Sequence, residues 1–249
     1  MKRLVKLVLG LALVLGLAAT ASAKQLVVAH DTNFKPFEFK GEDGKYTGFD
    51  IELWQAIAKI AGVDYKLQPM DFNGIIPGLQ TGNVDVGIAG ITIKPERAAV
   101  VDFSDPYYDS GLMILVRENE TGIKAVEDLA GKIVAVKTAT SSVDFMKSFG
   151  KAKELKLFPN NDSMFFELMA GGADAVIFDM PVVKEFAMTA GKGKVKVVGP
   201  LYQGQSYGIG FPKGSELVGK VNDALKQLKA DGSYDKLFVK WFGYAPEKK

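Results

Sequence analysis

The chain contains no cysteine. No disulfide can staple it, no thiolate can ligate a metal, and no cysteine nucleophile is available. It contains one histidine, His30. Sites built on two histidines, including the zinc-protease helix motif, are therefore excluded, and a Ser-His-Asp triad would have to use His30. A surplus of charge is also missing. The formal net charge over 249 residues is +2, from 31 basic and 29 acidic side chains. Lys2, Arg3 and Lys6 stand in the first 23 residues, which hold no acid; without those three, 28 basic residues face 29 acidic ones, a net of −1. That balance offers no basic patch for nucleic acid, and no nucleic-acid partner is expected. No internal repeat and no Pro/Ser-rich linker is visible, and beyond residue 23 no run is long and apolar enough to span a bilayer.

What is there has ordinary globular composition: 47% apolar, 24% charged, 27 Gly and 10 Pro. This excludes collagen-like, low-complexity and mostly disordered chains. The length allows one large domain or two smaller ones. Residues 1–23 have a basic start, an apolar run from Leu7 to Ala19 and Ala21-Ser22-Ala23 at the end. These are the three parts of a secretory signal peptide, with cleavage expected near Ala23. The run is short for a membrane anchor. An exported, cysteine-free chain fits the bacterial periplasm, because secreted eukaryotic proteins usually carry disulfides.

The remainder alternates strand and helix patterns, which predicts an α/β architecture. Gln25–Ala29 reads as a buried strand, and Asp50–Ile60 as a helix capped by Asp50 and stopped by Gly62. Leu53, Trp54, Ile57, Ala58 and Ala61 share one face of that helix. Strands are predicted at Tyr65–Pro69, Val84–Ala89, Leu112–Arg117, Ile133–Val136, Ala173–Phe178 and Tyr207–Phe211, and helices at Gly74–Thr81 and Ser163–Met169. Pro95 suits the first position of a helix carrying Arg97. Leu217, Val221, Leu225 and Leu228 recur at helical spacing, with Gly232 as the expected C-cap.

Several residues can carry chemistry, each with a plainer reading beside it. Arg97 at a helix start can grip a carboxylate with its planar fork, or can be a solvated surface arginine. Asp31 and Asp179 each end an apolar run, where α/β proteins place ligand groups, or each can cap a turn. Lys137 ends another such run, before the hydroxyl-rich Thr138–Ser142, which can bind an anion or N-cap a helix. Phe34, Phe37, Phe39 and Phe72 are most simply core. His30 reads as structural or solvent-facing.

Longer segments carry more information together. FKPFEF (34–39), GFDIELWQAIAK (48–59), FNGIIPGLQTGNVDVGIAGITIKPER (72–97), VDFSDPYYDSG (101–111), DLAGKIVAVKTATSSVDF (128–145), DAVIFD (174–179), YGIGFPKGS (207–215) and DGSYDKLFVKWFG (231–243) resemble the polar amino-acid periplasmic binding proteins of ABC importers. The likeness covers residues 24–246 and is closest to the glutamine-binding members. It implies the type II periplasmic binding protein fold, an α/β arrangement with two hinge strands and the ligand in the interdomain cleft. The larger domain would be 24–106 plus 208–249, the smaller 112–202, and the hinges 107–111 and 203–207.

The resemblance also implies roles. Arg97 matches the arginine that holds the ligand's α-carboxylate, with backbone N–H groups of Thr92 and of Thr140 or Ser141. Asp179 matches the acid that holds the α-ammonium, helped by the Gly90 carbonyl and the Thr92 hydroxyl. Phe34 and Phe72 match aromatic walls, and Asp31 and Lys137 the pair that reads a side-chain amide. An amide offers an N–H donor and a C=O acceptor; Asp31 can accept from the nitrogen and Lys137 can donate to the oxygen. Phe178 stands where the glutamine-binding pattern has His, and Ser141 where it has Gly. The expected function is capture of L-glutamine by hinge closure and delivery to an inner-membrane ABC permease. Binding of arginine, or of a broad set of polar amino acids, is the alternative. No catalytic residue, metal ligand or cofactor is expected, and a monomer is. A cyclohexadienyl dehydratase-like enzyme on the same scaffold is a weaker reading, since Asp31 and Asp179 already match binding roles. A receptor's sensory module is weaker still, since no membrane span or signalling domain follows Trp241-Phe242-Gly243.

Overall fold

Three apolar runs end in a charged side chain: LVVAHD at Asp31, IVAVK at Lys137 and AVIFD at Asp179. Strands of this composition need cover on both faces, so each charge marks where a strand leaves the core. The structure, a computed structural model, describes residues 25–247; the predicted signal peptide lies outside the described residues. The chain forms β1 (Leu26–Asp31), β2 (Phe39–Lys40), β3 (Tyr46–Thr47), α1 (Phe49–Ala61), β4 (Tyr65–Met70), α2 (Phe72–Gln80), β5 (Val86–Gly87), the single turn α3 (Pro95–Ala98) and β6 (Asp102–Phe103). It continues through β7 (Tyr108–Arg117), a 3-10 turn at Val126–Leu129, β8 (Ile133–Lys137), α4 (Ser141–Phe149), β9 (Glu154–Phe158), α5 (Asn161–Met169), β10 (Ala175–Asp179), α6 (Met180–Met188), β11 (Val195–Tyr207), β12 (Gly210–Phe211), α7 (Leu217–Ala230) and α8 (Ser233–Phe242).

Two five-stranded sheets result, ordered β4-β1-β5-β12-β6 and β11-β7-β10-β8-β9. Each has a parallel β-α-β-α-β core in which the first strand lies between the next two. In one, β1 pairs in parallel with β4 and β5; in the other, β8 pairs in parallel with β9 and β10. Successive crossovers therefore run to opposite sides, which creates a switch point at the carboxyl ends of β1 and β5 and another at those of β8 and β10. Asp31 stands at the first, Lys137 and Asp179 at the second.

Some local expectations are corrected. Asp50 does not cap α1. Gly48 holds that position at φ 131°, where a Cβ would come within 2.1 Å of the Phe37 carbonyl oxygen, while Asp50 turns inward and is fully buried. Tyr207–Phe211 is not one strand. Tyr207 ends β11 in one sheet, and β12 begins at Gly210 in the other. The strand expected from Leu112 begins at Tyr108, because β11 pairs with β7 as far as Tyr207↔Tyr108. The C-cap of α7 is Asp231, and Gly232, at φ 77°, is instead the N-cap of α8. His30 does not face solvent: it is fully buried, with Nδ1 hydrogen-bonded to the Asp31 carbonyl at 2.8 Å and its ring edge-on to Tyr46.

Candidate functional site

Asp31, Phe34, Phe72, Gly90, Thr92, Arg97, Lys137, Thr140, Ser141, Phe178 and Asp179 line one cavity, joined by Ala89. The sequence separates these residues by up to 148 positions, and the two switch points bring them together. The cavity volume is only about 10 Å³. The walls are closed on one another.

At one end, α3 is a single turn with Pro95 at its start. It presents Arg97, which is 6% exposed. Its Nη1 donates to the Thr92 carbonyl at 3.0 Å and its Nη2 to the Ala139 carbonyl at 2.9 Å. The Phe72 ring lies 5.3 Å from the guanidinium carbon. Burial pulls the Arg97 pKa down, opposed by the charges of Asp144, Asp179 and Glu96. Asp179 accepts the Tyr207 hydroxyl at 2.6 Å and the Gln205 amide at 3.1 Å. Burial raises its pKa to about 6, against the Tyr207 bond and the charges of Lys137 and Arg97. Gly90 is at φ 54°, and a Cβ there would come within 2.4 Å of the Phe34 ring; this wall position needs glycine.

At the other end, Lys137 Nζ donates to Asp31 Oδ2, and both side chains are 1% exposed. Asp31 Oδ1 accepts from the Thr32 hydroxyl and the Asn33 N–H. The Lys137 ammonium lies 5.8 Å from the Phe34 ring centre and 5.9 Å from that of Phe72. Phe178 meets Phe34 edge-on at 5.8 Å. Thr140 is the N-cap of α4, but its hydroxyl bonds the Lys137 carbonyl at 2.7 Å and the Ser142 hydroxyl at 2.7 Å rather than a helix N–H.

Sequence reading missed Gln205 and Tyr207 as site residues. Gln205 links the two halves: its amide donates to Asp179, and its oxygen accepts the Thr92 hydroxyl at 3.0 Å. Both lie on β11, in the segment read as a hinge, and no spacing signal there separates site from hinge. Further contacts join the halves at the rim: Lys94 to Asp144, and Asn33 to Asp162 at 2.8 Å.

The lining side chains comprise two cations and two anions, a balance that suits a zwitterion. Among the described residues no group of three or more His, Asp or Glu is placed to hold a metal ion. No helix among them is long and apolar enough to cross a membrane.

Comparison with known proteins agrees with this layout. Residues 26–244 match the profile of bacterial extracellular solute-binding proteins, family 3. The L-cystine-binding protein of Escherichia coli is 33% identical over 220 residues, covering 88% of this chain and 82% of that protein. The glutamine-binding protein of an ABC transporter in Bacillus subtilis is 34% identical over 237 residues, covering 92% and 85%. An ancestral arginine-binding protein solved with glutamine superposes with a TM-score of 0.85 at 45% identity, covering 88% of this chain and 98% of that one. An ancestral arginine-binding protein solved bound to arginine superposes with a TM-score of 0.84 at 45% identity, covering 88% of this chain and 98% of that one.

Proposed function

The chain belongs to the bacterial extracellular solute-binding proteins of family 3, and on that premise we propose that it captures a polar L-amino acid, glutamine first, for delivery to an ABC permease. The working form would be the exported chain in the periplasm, residues 24–249. The reading rests on one observation: a closed, charge-balanced cavity with Arg97 and Asp179 at one end and the Asp31–Lys137 pair at the other. Arg97 takes the α-carboxylate through two parallel N–H···O bonds, with backbone N–H groups of Thr92 and of Thr140 or Ser141. Asp179 takes the ammonium with the Gly90 carbonyl and the Thr92 hydroxyl. Phe34, Phe72 and Phe178 pack on the aliphatic stem, and Asp31 and Lys137 share the side-chain amide.

A neutral side chain keeps the charge balance. Glutamate places a second carboxylate beside Asp31, and arginine or lysine a cation beside Lys137; either mismatch costs on the order of a few kcal/mol in a dry site. The larger domain is proposed as 24–106 plus 208–249 and the smaller as 112–202, hinged at 107–111 and 203–207. Ligand contacts to both halves then favour the closed form over the open one. Arginine is the second reading, supported by the similarity to ancestral arginine-binding proteins solved with glutamine and with arginine.

Calorimetric titration of refolded, ligand-stripped residues 24–249 tests this against glutamine, arginine, glutamate, lysine and histidine. Tight binding of glutamine above the rest is expected. Tighter arginine binding replaces the first reading by the second. Binding of none overturns both and turns attention to turnover of prephenate or arogenate.

A further inference from the structure

Glu38 and Asp50 do not line the cavity, yet both are fully buried. Each supports a piece of its floor. Glu38 Oε1 accepts the Asp31 N–H at 3.3 Å. Asp50 Oδ2 accepts the Gly90 N–H at 3.0 Å and the Tyr107 hydroxyl at 2.8 Å. Tyr107 precedes β7, where the chain crosses between the sheets, and its own carbonyl accepts the Tyr234 hydroxyl.

One oxygen of each acid remains, Glu38 Oε2 and Asp50 Oδ1, and no nitrogen or hydroxyl reaches either. The two buried carboxyl groups act on each other's titration. Carboxylate oxygens have only acceptors to offer, so these two unpartnered oxygens can satisfy one another only through a proton. We propose that Glu38 and Asp50 share one proton, and that this proton positions Asp31, Gly90 and Tyr107 for ligand binding.

The surroundings support the assignment. The groups acting on Glu38 are Asp50, Asp31 and Lys137; Lys137 is already engaged by Asp31. Asp50 faces Tyr107, the Gly90 N–H and Glu38, and Tyr234 feels its charge from α8. Full ionisation would add two adjacent negative charges to a dry region already holding Asp31, which like-charge repulsion and desolvation both oppose. Burial drives Glu38 well above the ordinary carboxylate range and Asp50 up to about 7.

The positioning role rests on the proposed function; the proton does not. Infrared spectroscopy of ligand-free residues 24–249 at pH 8 tests the proton. A neutral-carboxyl C=O band is expected, retained in Asp179→Asn and lost in Glu38→Gln. Its absence from the wild type overturns the proposal. Calorimetry with L-glutamine and L-arginine tests positioning. A glutamine side chain at 38 can accept the Asp31 N–H and donate to Asp50, so Glu38→Gln should hold wild-type affinity within about twofold. Glu38→Met strands the Asp31 N–H and an Asp50 oxygen and should weaken binding about tenfold or more. Equal losses in both variants overturn the positioning role. If neither amino acid binds the wild type, the functional reading fails and the band still decides the proton, as it does if a variant fails to fold.

Discussion

The two ends of the cavity hold the same charges in different states of readiness. At the clamp end Arg97 and Asp179 are not bonded to each other. Carbonyls of Thr92 and Ala139 steady the first, and Tyr207 and Gln205 the second. Each keeps bonding capacity for a ligand, and its orientation is already fixed. At the reader end Asp31 and Lys137 satisfy one another, so a ligand side chain must compete with a formed ion pair. Preorganised charges supply affinity, whereas a pair that must be opened discriminates, because only a group satisfying both members recovers what was broken.

The largest effect should come from the clamp. Arg97→Ala removes the proposed partner of the carboxylate and leaves Asp179 with less positive charge nearby. Cutting one member of a buried charge pair costs about 3–5 kcal/mol, which would abolish binding of every amino acid alike in calorimetry. Retained affinity would mean the carboxylate sits elsewhere. Lys137→Met should act differently. It strands Asp31, lowering thermal stability, and moves the ratio of arginine to glutamine affinity toward arginine by about 2 kcal/mol, roughly 30-fold. A general loss with an unchanged ratio would make the reader end merely structural.

How far the site was legible follows the same division. Asp31, Lys137 and Asp179 showed because each closes an apolar strand run, and a charge in that position has few places to go. Arg97 showed through Pro95, which fixes the start of its turn. Gln205 and Tyr207 did not, because β11 reaches the cavity only by pairing with β7 over a long, irregular register, and such pairing leaves no local pattern. Asp50 was misread for a related reason. An acid at a helix start looks like a cap, and only the partners Gly90 and Tyr107, 40 and 57 positions away, show that it points inward.

An intermediate effect is expected from pH, with opposite signs for stability and binding. The Asp179 pKa of about 6 in the folded state lies above the ordinary carboxylate value of about 3.9. The folded protein then holds more proton than the unfolded chain between those values, so this group's contribution to stability falls as pH rises from about 4 to 6 and is level above. The proposed ammonium capture needs the ionised form, so affinity should be about tenfold weaker at pH 5 than at pH 7. Denaturation of the ligand-free protein and titration of glutamine across that range give the two curves. Asp179→Asn should flatten both, and parallel curves would show that another group governs the pH response.

The smallest effect should come from the positions that depart from the glutamine-binding pattern. Phe178 is buried edge-on against Phe34, within the cavity wall and beside Asp179 rather than beside the Asp31–Lys137 pair in sequence. Its proposed contact is with the ligand's stem, which glutamine and arginine share, so it should not strongly separate them. Ser141 opens α4 near the Arg97–Ala139 contact, at the end proposed to hold the carboxylate that every amino acid carries. Phe178→His and Ser141→Gly should therefore each move the glutamine-to-arginine ratio by less than about 1 kcal/mol, with absolute affinities moving together. A shift as large as that of Lys137→Met would place discrimination at the clamp end and reverse the division of labour between the two ends.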